Sequence, residues 1–286
     1  MAQPSYNIES VYSEINKIDR YFYEEKKNGI VIAEHTDGSI SKYCPYNGTF
    51  NSGLCMNYFQ MARSGVINLL ESLKKYNLES DKLAEYAILF LSYKLKQHSE
   101  HKYNSANLND FYTNHIEKNE YYNKIKVNGL TCKDIIDIKK DLMNMNNNER
   151  SKFNVLFSIL FLLYNENKKN NMDCNKCSKD ANEFVQNFEK LNDDSNINGN
   201  ASYSKLLFTL SDDYNNLKNK CTDFPTLPKV KTPPNKLIPV LSTFSVIPVF
   251  FGIAYKYSLF GVDKLFQRQY LRKKLKKITK KMKLNI

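Results

Sequence analysis

KLAEYAILFLSYKL, residues 82–95, places apolar side chains at three- and four-residue spacing around a few polar ones, which is the pattern of a helix packed into a core. A second run, VLFSILFLLY (155–164), has ten residues between the charged flanks Arg150 and Lys152 and Glu166 and Lys168. It is too short to cross a ~30 Å hydrocarbon layer, so it reads as a central buried helix. Working outward, GVINLLESLKKY (65–76) repeats the helical spacing, and NLNDFYTNHIEKNEYYNKI (107–125) does so more weakly. Thr131 followed by Asp134 forms a capping-box pattern ahead of IIDIKKDLMNM. ANEFVQNFEKLN (181–192) and SYSKLLFTLSDDYNNLKN (202–219) complete the set. No stretch alternates long enough to predict a sheet, and residues 1–60 read as turn-rich, with helix from about Ser64. The expectation is an all-α bundle of six or seven helices around 82–95 and 155–164.

A longer apolar run lies toward the C-terminus: LIPVLSTFSVIPVFFGIAY, residues 237–255. Its nineteen residues would rise about 28 Å as a helix, close to the ~30 Å of a bilayer core. Leu259 and Phe260 extend it, Lys256 can snorkel, and Tyr255 and Tyr257 suit an interfacial belt. Pro239 falls in the first turn, where it costs nothing, and Pro248 falls mid-span, where a kink is tolerated. The segment 237–260 is therefore read as one transmembrane helix. Before it, TDFPTLPKVKTPPNK (222–236) has four prolines and is expected to form an extended stalk.

The net charge of +12 is concentrated behind that run. Residues 1–236 hold 31 Lys and Arg against 29 Asp and Glu, whereas 261–286 holds ten against one. A nucleic-acid footprint over residues 1–236 is not supported. The ten are Lys264, Arg268, Arg272, Lys273, Lys274, Lys276, Lys277, Lys280, Lys281 and Lys283, set around Leu271, Leu275, Ile278 and Met282 at 4-3-4 spacing. That is a basic amphipathic helix suited to an anionic inner leaflet. A docking helix for a cytoskeletal partner and a nucleic-acid arm are the alternatives, and directly after a span the leaflet is the plainest partner.

Within fifteen residues of either end of the run Lys and Arg tie at three, and only over the full tail do cations favour a cytosolic C-terminus, by eleven to three. All six cysteines (Cys44, Cys55, Cys132, Cys174, Cys177, Cys221) and both glycosylation-type triplets (Asn47-Gly-Thr and Asn200-Ala-Ser) precede the span. Both features place residues 1–221 outside the cell, stapled by up to three disulfides among 15 pairings. The first residues, MAQPSYNIESVYSEINKIDRYF, carry no apolar h-region, so either the span itself acts as membrane signal or an upstream piece precedes them.

Signals for chemistry are sparse. Lys, Asn, Ile, Tyr and Phe belong to AT-rich codons, so the clusters MNMNNNE (143–149) and NENKKNN (165–171) read as loops enlarged by codon bias. Cys174-Asn-Lys-Cys177 could be half a zinc site completed by His98 and His101, or a redox pair, but structural disulfides suit it better. His35, His98, His101 and His115 match no metalloprotease spacing, and GxGxxG, P-loop and GxSxG motifs are missing. The sequence names no catalytic residue, metal ligand or cofactor.

Several stretches together are similar to one family. EYAILFLSYKL (85–95), NLNDFYTNHI (107–116) and KDIIDIKKDLMNMN (133–146) carry the first part of the resemblance. CNKCSKDANEFVQNFEKLN (174–192), NASYSKLLFTLSDDYNNLKNKC (200–221), KLIPVLSTFSVIPVFFGIAYKYSLFG (236–261) and the basic RQYLRKKLKKITKKMK carry the rest. The chain resembles the Plasmodium interspersed repeat (PIR) variant antigens of the rodent-parasite Yir/Bir/Cir type. It departs from them in having Phe90 where a Trp is expected, and in lacking a cysteine within its first forty residues. The resemblance implies a helical, disulfide-bonded ectodomain, a single span and a short cytosolic tail. It also implies a non-catalytic protein of the parasite or infected red-cell membrane, serving antigenic variation and immune evasion. An adhesin that binds one host surface protein, and an intracellular tether whose body faces the cytosol, are the competing readings.

Overall fold

The computed structural model describes residues 7–28, 30–48, 52–98, 108–167 and 174–231. Helix α1 (Ile8–Asp19) opens this body, capped by Asn7, whose side chain accepts from the Glu9 N–H. A β-hairpin follows, β1 (Phe22–Lys27) antiparallel to β2 (Ile30–Thr36), with a bulge between Glu25 and Lys26. The short helix α2 (Gly38–Ser41) and the two-residue strands β3 (Tyr46–Asn47) and β4 (Ser52–Gly53) lead to α3 (Tyr58–Leu73). Then come α4 (Ser80–Gln97), α5 (Leu108–Phe111), a π-helical turn (Tyr112–Ile116), α6 (Glu120–Lys124) and a tiny hairpin of β5 (Lys126–Val127) and β6 (Leu130–Thr131). The last part holds α7 (Cys132–Ile138), a 3-10 turn (Lys140–Asn144), α8 (Asn147–Asn167), α9 (Cys174–Asp193), α10 (Ser195–Asn198) and α11 (Ala201–Lys218).

Helix α4 lies at the centre. Every residue from Leu83 to Ser92 is buried, so no face of its middle turns reaches water. It packs on α3, α7 and α8, and α8 in turn packs on α1, α9 and α11. In α8, Phe153, Leu156, Phe157, Leu160, Leu163 and Tyr164 are buried while Leu162 is exposed. The two apolar runs singled out by sequence thus form the inner helices. The capping box is present too: the Thr131 side chain accepts from the Asp134 N–H, and the Asp134 carboxylate accepts from the Thr131 N–H, both at 3.0 Å.

Other expectations need correction. Residues 8–19 are helical, and Val11, Tyr12, Ile15 and Ile18 are buried. Their spacing is that of a helix, but it sits among turn signals. The sequence also gives no warning of the β1–β2 hairpin, because only Phe22 of β1 is fully buried and no alternation develops. Its tight turn rests on Asn28 at φ 53°, left-handed backbone that asparagine adopts more readily than most residues. The run 107–125 breaks into α5, the π turn and α6.

The expected stalk does not begin at residue 222. Residues 222–231 have no regular structure, as their prolines require, but they are docked on the body. Phe224 is buried, and the Tyr214 hydroxyl donates to the Pro225 carbonyl at 2.9 Å. Asn192 clamps the strap from both sides: its Nδ2 donates to the Lys229 carbonyl (2.9 Å) and its Oδ1 accepts from the Lys231 N–H (2.7 Å). The body therefore runs to at least residue 231. The proposed span 237–260 and tail 261–286 lie outside the described residues, and no described helix is long and apolar enough to cross a membrane.

Gly65 marks a close approach between α3 and the hairpin. A Cβ built there would lie 2.6 Å from Cε1 of Phe22. That ring cannot easily yield, being buried against Tyr58 and Phe90 with the Lys94 ammonium 4.2 Å from its centre. Overpacking costs about 1–3 kcal/mol, against the ~1 kcal/mol that alanine gains over glycine inside a helix. Gly65→Ala is expected to lower the urea midpoint, and Phe22→Leu in that background to recover part of the loss. A neutral or stabilised Gly65→Ala would refute this packing.

Candidate functional site

The chemistry-bearing side chains of the body divide into buried groups that hold helices together and exposed groups at its loops. Burying α4 also buries its polar residues, and Glu85, Tyr86 and Lys94 meet partners from other elements. Glu85 accepts from the Thr209 hydroxyl at 2.6 Å and faces Lys139 at 3.0 Å, which reaches Asp81 at 2.8 Å as well. Burial alone would lower the Lys139 pKa, but its two carboxylate partners outweigh this and raise it.

Lys94 is enclosed at the other end of α4. Its ammonium donates to the Asp19 carboxylate (2.8 Å), the Asp19 carbonyl (3.1 Å) and the Phe22 carbonyl (2.7 Å). Its own carbonyl accepts from the Tyr58 hydroxyl at 3.0 Å. Burial lowers the Lys94 pKa and Asp19 works against that shift. These contacts join α1, β1 and α3 to α4. Nearby, His98 pairs with Glu24 and stacks on Tyr58 at 4.5 Å.

Four helices meet at Asp213 of α11. Its carboxylate accepts from the hydroxyls of Tyr12 and Tyr86, both at 2.9 Å, and its backbone carbonyl accepts from Tyr164 at 2.7 Å. Tyr12 and Tyr164 stack with centroids 4.2 Å apart. Burial pushes the Asp213 pKa up to about 7, against the pull of Lys82 and the two phenols. Together these residues form a polar pin between α1, α4, α8 and α11.

Of the six cysteines, four form two bridges among the described residues. Cys44–Cys55 closes the loop that carries β3 and β4, and Cys174–Cys221 ties the start of α9 to the chain just after α11. Loops of 11 and 47 residues give entropic contributions on the order of 3 and 4 kcal/mol in the chain-entropy account. The third bridge that six cysteines allow does not form. Cys132 is a buried thiol whose pKa is pushed up to about 12, by burial first and then by Glu71. Cys177 is buried one turn along α9, outside both bridges. With Cys174 bridged to Cys221, the CxxC is not a dithiol pair. No group of three His, Cys, Asp or Glu side chains could hold a metal among the described residues, and His101 lies outside them.

The exposed set is different in kind. Ile30 at the hairpin tip is 69% exposed, and Tyr46 and Met56 on either side of the Cys44–Cys55 bridge are 67% and 68% exposed. Asn47 lies in β3, and Thr49 of its triplet is outside the described residues. Asn200 caps α11, its side-chain oxygen accepting from the Ser202 and Tyr203 N–H groups. The basic tail residues Lys264 to Lys283 are likewise outside the described residues.

A profile of the Plasmodium variant antigen protein Cir/Yir/Bir family matches residues 12–256. The chain belongs to this family. As a Cir/Yir/Bir chain its body is also similar to a solved structure titled "Structure of a Plasmodium PIR protein ectodomain". The two are 32% identical with a TM-score of 0.54, over 79% of this chain and 100% of the other. No curated protein matches the chain. The mostly helical body with its two disulfides thus matches the fold of a PIR ectodomain. Sequence reasoning missed the pins at Asp213, Lys94 and Glu85. The available signal was a charge inside an apolar run: Glu85 and Lys94 both interrupt 82–95.

The Asp213 pin predicts a pH dependence. A carboxyl raised from 3.8 when unfolded to about 7 when folded contributes stability that is fully present below the lower value and lost as pH rises through the upper one. Unfolding free energy should then fall by on the order of 4 kcal/mol between pH 4 and 7 from this group. Asp213→Asn should flatten that slope in urea titrations at stepped pH. Parallel wild-type and variant profiles would refute it.

Proposed function

We propose that this chain is a single-pass, non-catalytic variant surface antigen that presents its helical body outside a parasite or infected-cell membrane. The carrying observation is the extent of the family match, which runs past the body and through the apolar run to residue 256. The match of the body to a chain described as an ectodomain supports the same reading. Two disulfides favour an oxidising compartment for the body.

In this reading residues 237–260 span the bilayer and residues 261–286 lie on its anionic inner leaflet through Lys264, Arg268, Arg272 and the lysines that follow. Residues 232–236 are what remains of the stalk. The body would act by presentation: its polar pins and bridges fix the core, and the exposed tips at Ile30, Tyr46 and Met56 can change sequence without disturbing it. Antigenic variation and immune evasion follow from that division, with host antibody or a host surface protein as the partner.

Topology tests this. With separate antibodies against the body and against residues 264–286, protease applied to intact infected cells should remove the body epitope and spare the tail. Loss of the tail epitope with protection of the body would reverse the orientation. Protection of both would place the protein in an internal membrane.

A further inference from the structure

Phe59 and Arg63 stand one helical turn apart on α3 and so share a face. The segment that crosses this face is the π-helical turn, in which the Glu117 N–H reaches the Tyr112 carbonyl five residues back at 2.9 Å. Such turns recur at functional sites. This one places His115 against Phe59 with centroids 5.7 Å apart, and Phe111 flanks the imidazole at 4.7 Å. From the next helix, the Tyr122 hydroxyl donates to the Arg63 backbone carbonyl at 2.9 Å.

Arg63 is half-buried, yet none of its N–H donors meets a protein acceptor among the described residues, and its Nε is fully enclosed without one. Four acids on α3, β1 and the segment from the π turn to α6 are committed elsewhere. Glu117 faces Lys140, Glu120 holds Lys124, Glu71 serves Tyr43 and Lys42, and Glu24 serves His98 and Lys26. A guanidinium that has lost much of its water without gaining an anion is an uncompensated cost within the fold. Among the described residues, the titratable groups that act on the Arg63 charge are His115, Tyr121 and Tyr122, and none is an acid at neutral pH.

We propose that Arg63 and His115 form a binding site for an oxyanion, a carboxylate, phosphate or sulfate group, carried by a ligand of the body. The two terminal nitrogens of the planar guanidinium offer paired donors that match two oxygens of such a group, and the imidazole supplies a further donor once protonated. Burial and the charge of Arg63 hold the His115 pKa below its usual value. A bound anion reverses the second of these effects and favours imidazolium, so binding and protonation reinforce each other. Affinity should therefore rise as pH falls through the His115 transition.

The test uses the full-length chain in detergent micelles with isotope-labelled histidine and arginine, followed by NMR. Sodium acetate, phosphate and sulfate are titrated separately against chloride at constant ionic strength. The expected result is a saturable shift at Arg63 and His115 with a dissociation constant in the millimolar range, where a single oxyanion contact lies. The His115 pKa should rise by about one unit on saturation, equivalent to tenfold tighter binding to the protonated form. Arg63→Gln should weaken binding at least tenfold and uncouple His115 from the anion. Arg63→Lys, which keeps the charge and loses the fork, should fall between the two. Acetate saturating first would identify a carboxylate ligand, and phosphate or sulfate first a tetrahedral one. Shifts that never saturate, or that persist unchanged in both variants, would overturn the site.

Discussion

A helix buried on every face can exist only if other elements surround it and every polar group it carries finds a partner inside. Helix α4 imposes that condition here. Its apolar residues require α3, α7 and α8 as neighbours, and Glu85, Tyr86 and Lys94 require specific polar atoms at fixed positions. Those atoms come from chain segments far away in sequence: Thr209 and Asp213 of α11, Lys139 after α7, and Asp19 with the Phe22 carbonyl near the N-terminus. Hydrophobic burial is non-directional, whereas these hydrogen bonds fix which helix lies where. One departure remains among the described residues: Ser92 Oγ and Asn154 Oδ1 are buried without a partner, although Asn154 Nδ2 reaches the Ser92 carbonyl at 3.4 Å.

The bridges and the strap act on the parts that the central helix does not reach. Cys44–Cys55 closes a segment with little regular structure, and Cys174–Cys221 secures α9 against the end of α11. The strap at 222–231 then covers the same end through Phe224 and Asn192. Interior fixation therefore leaves the hairpin tip and the exposed side chains of Tyr46 and Met56 outside the interlocking set. For a member of a variant antigen family this separation is the useful property, because substitutions at Ile30, Tyr46 or Met56 alter surface without altering any contact on which α4 depends.

Much of the fold could be read in advance where the helical period was strong. The runs at 82–95 and 155–164, the helices near 181–192 and 202–219, and the Thr131–Asp134 box all rest on local signals. Helix α1 carries the same period, with Ile8, Val11, Tyr12 and Ile15 buried, but polar neighbours and surrounding turn residues diluted it. The hairpin, the cysteine pairing and the docking of the strap depend on contacts made only after the chain has collapsed. Pro225 and Pro228 argue correctly against helix and strand at 222–231 and say nothing about what that backbone rests on. The Arg63–His115 arrangement was equally hidden, since its meaning lies in acids that turn elsewhere.

The central claim, that an enclosed α4 governs the body while the loop tips stand apart, is tested most directly by native-state hydrogen exchange on the oxidised protein. The account predicts that amides of residues 83–92 and of the middle of α8 exchange only through global unfolding, and that those around Ile30 and of residues 44–55 exchange through far smaller openings. Comparable protection at the hairpin tip and in α4, or early exchange within 83–92, would contradict it.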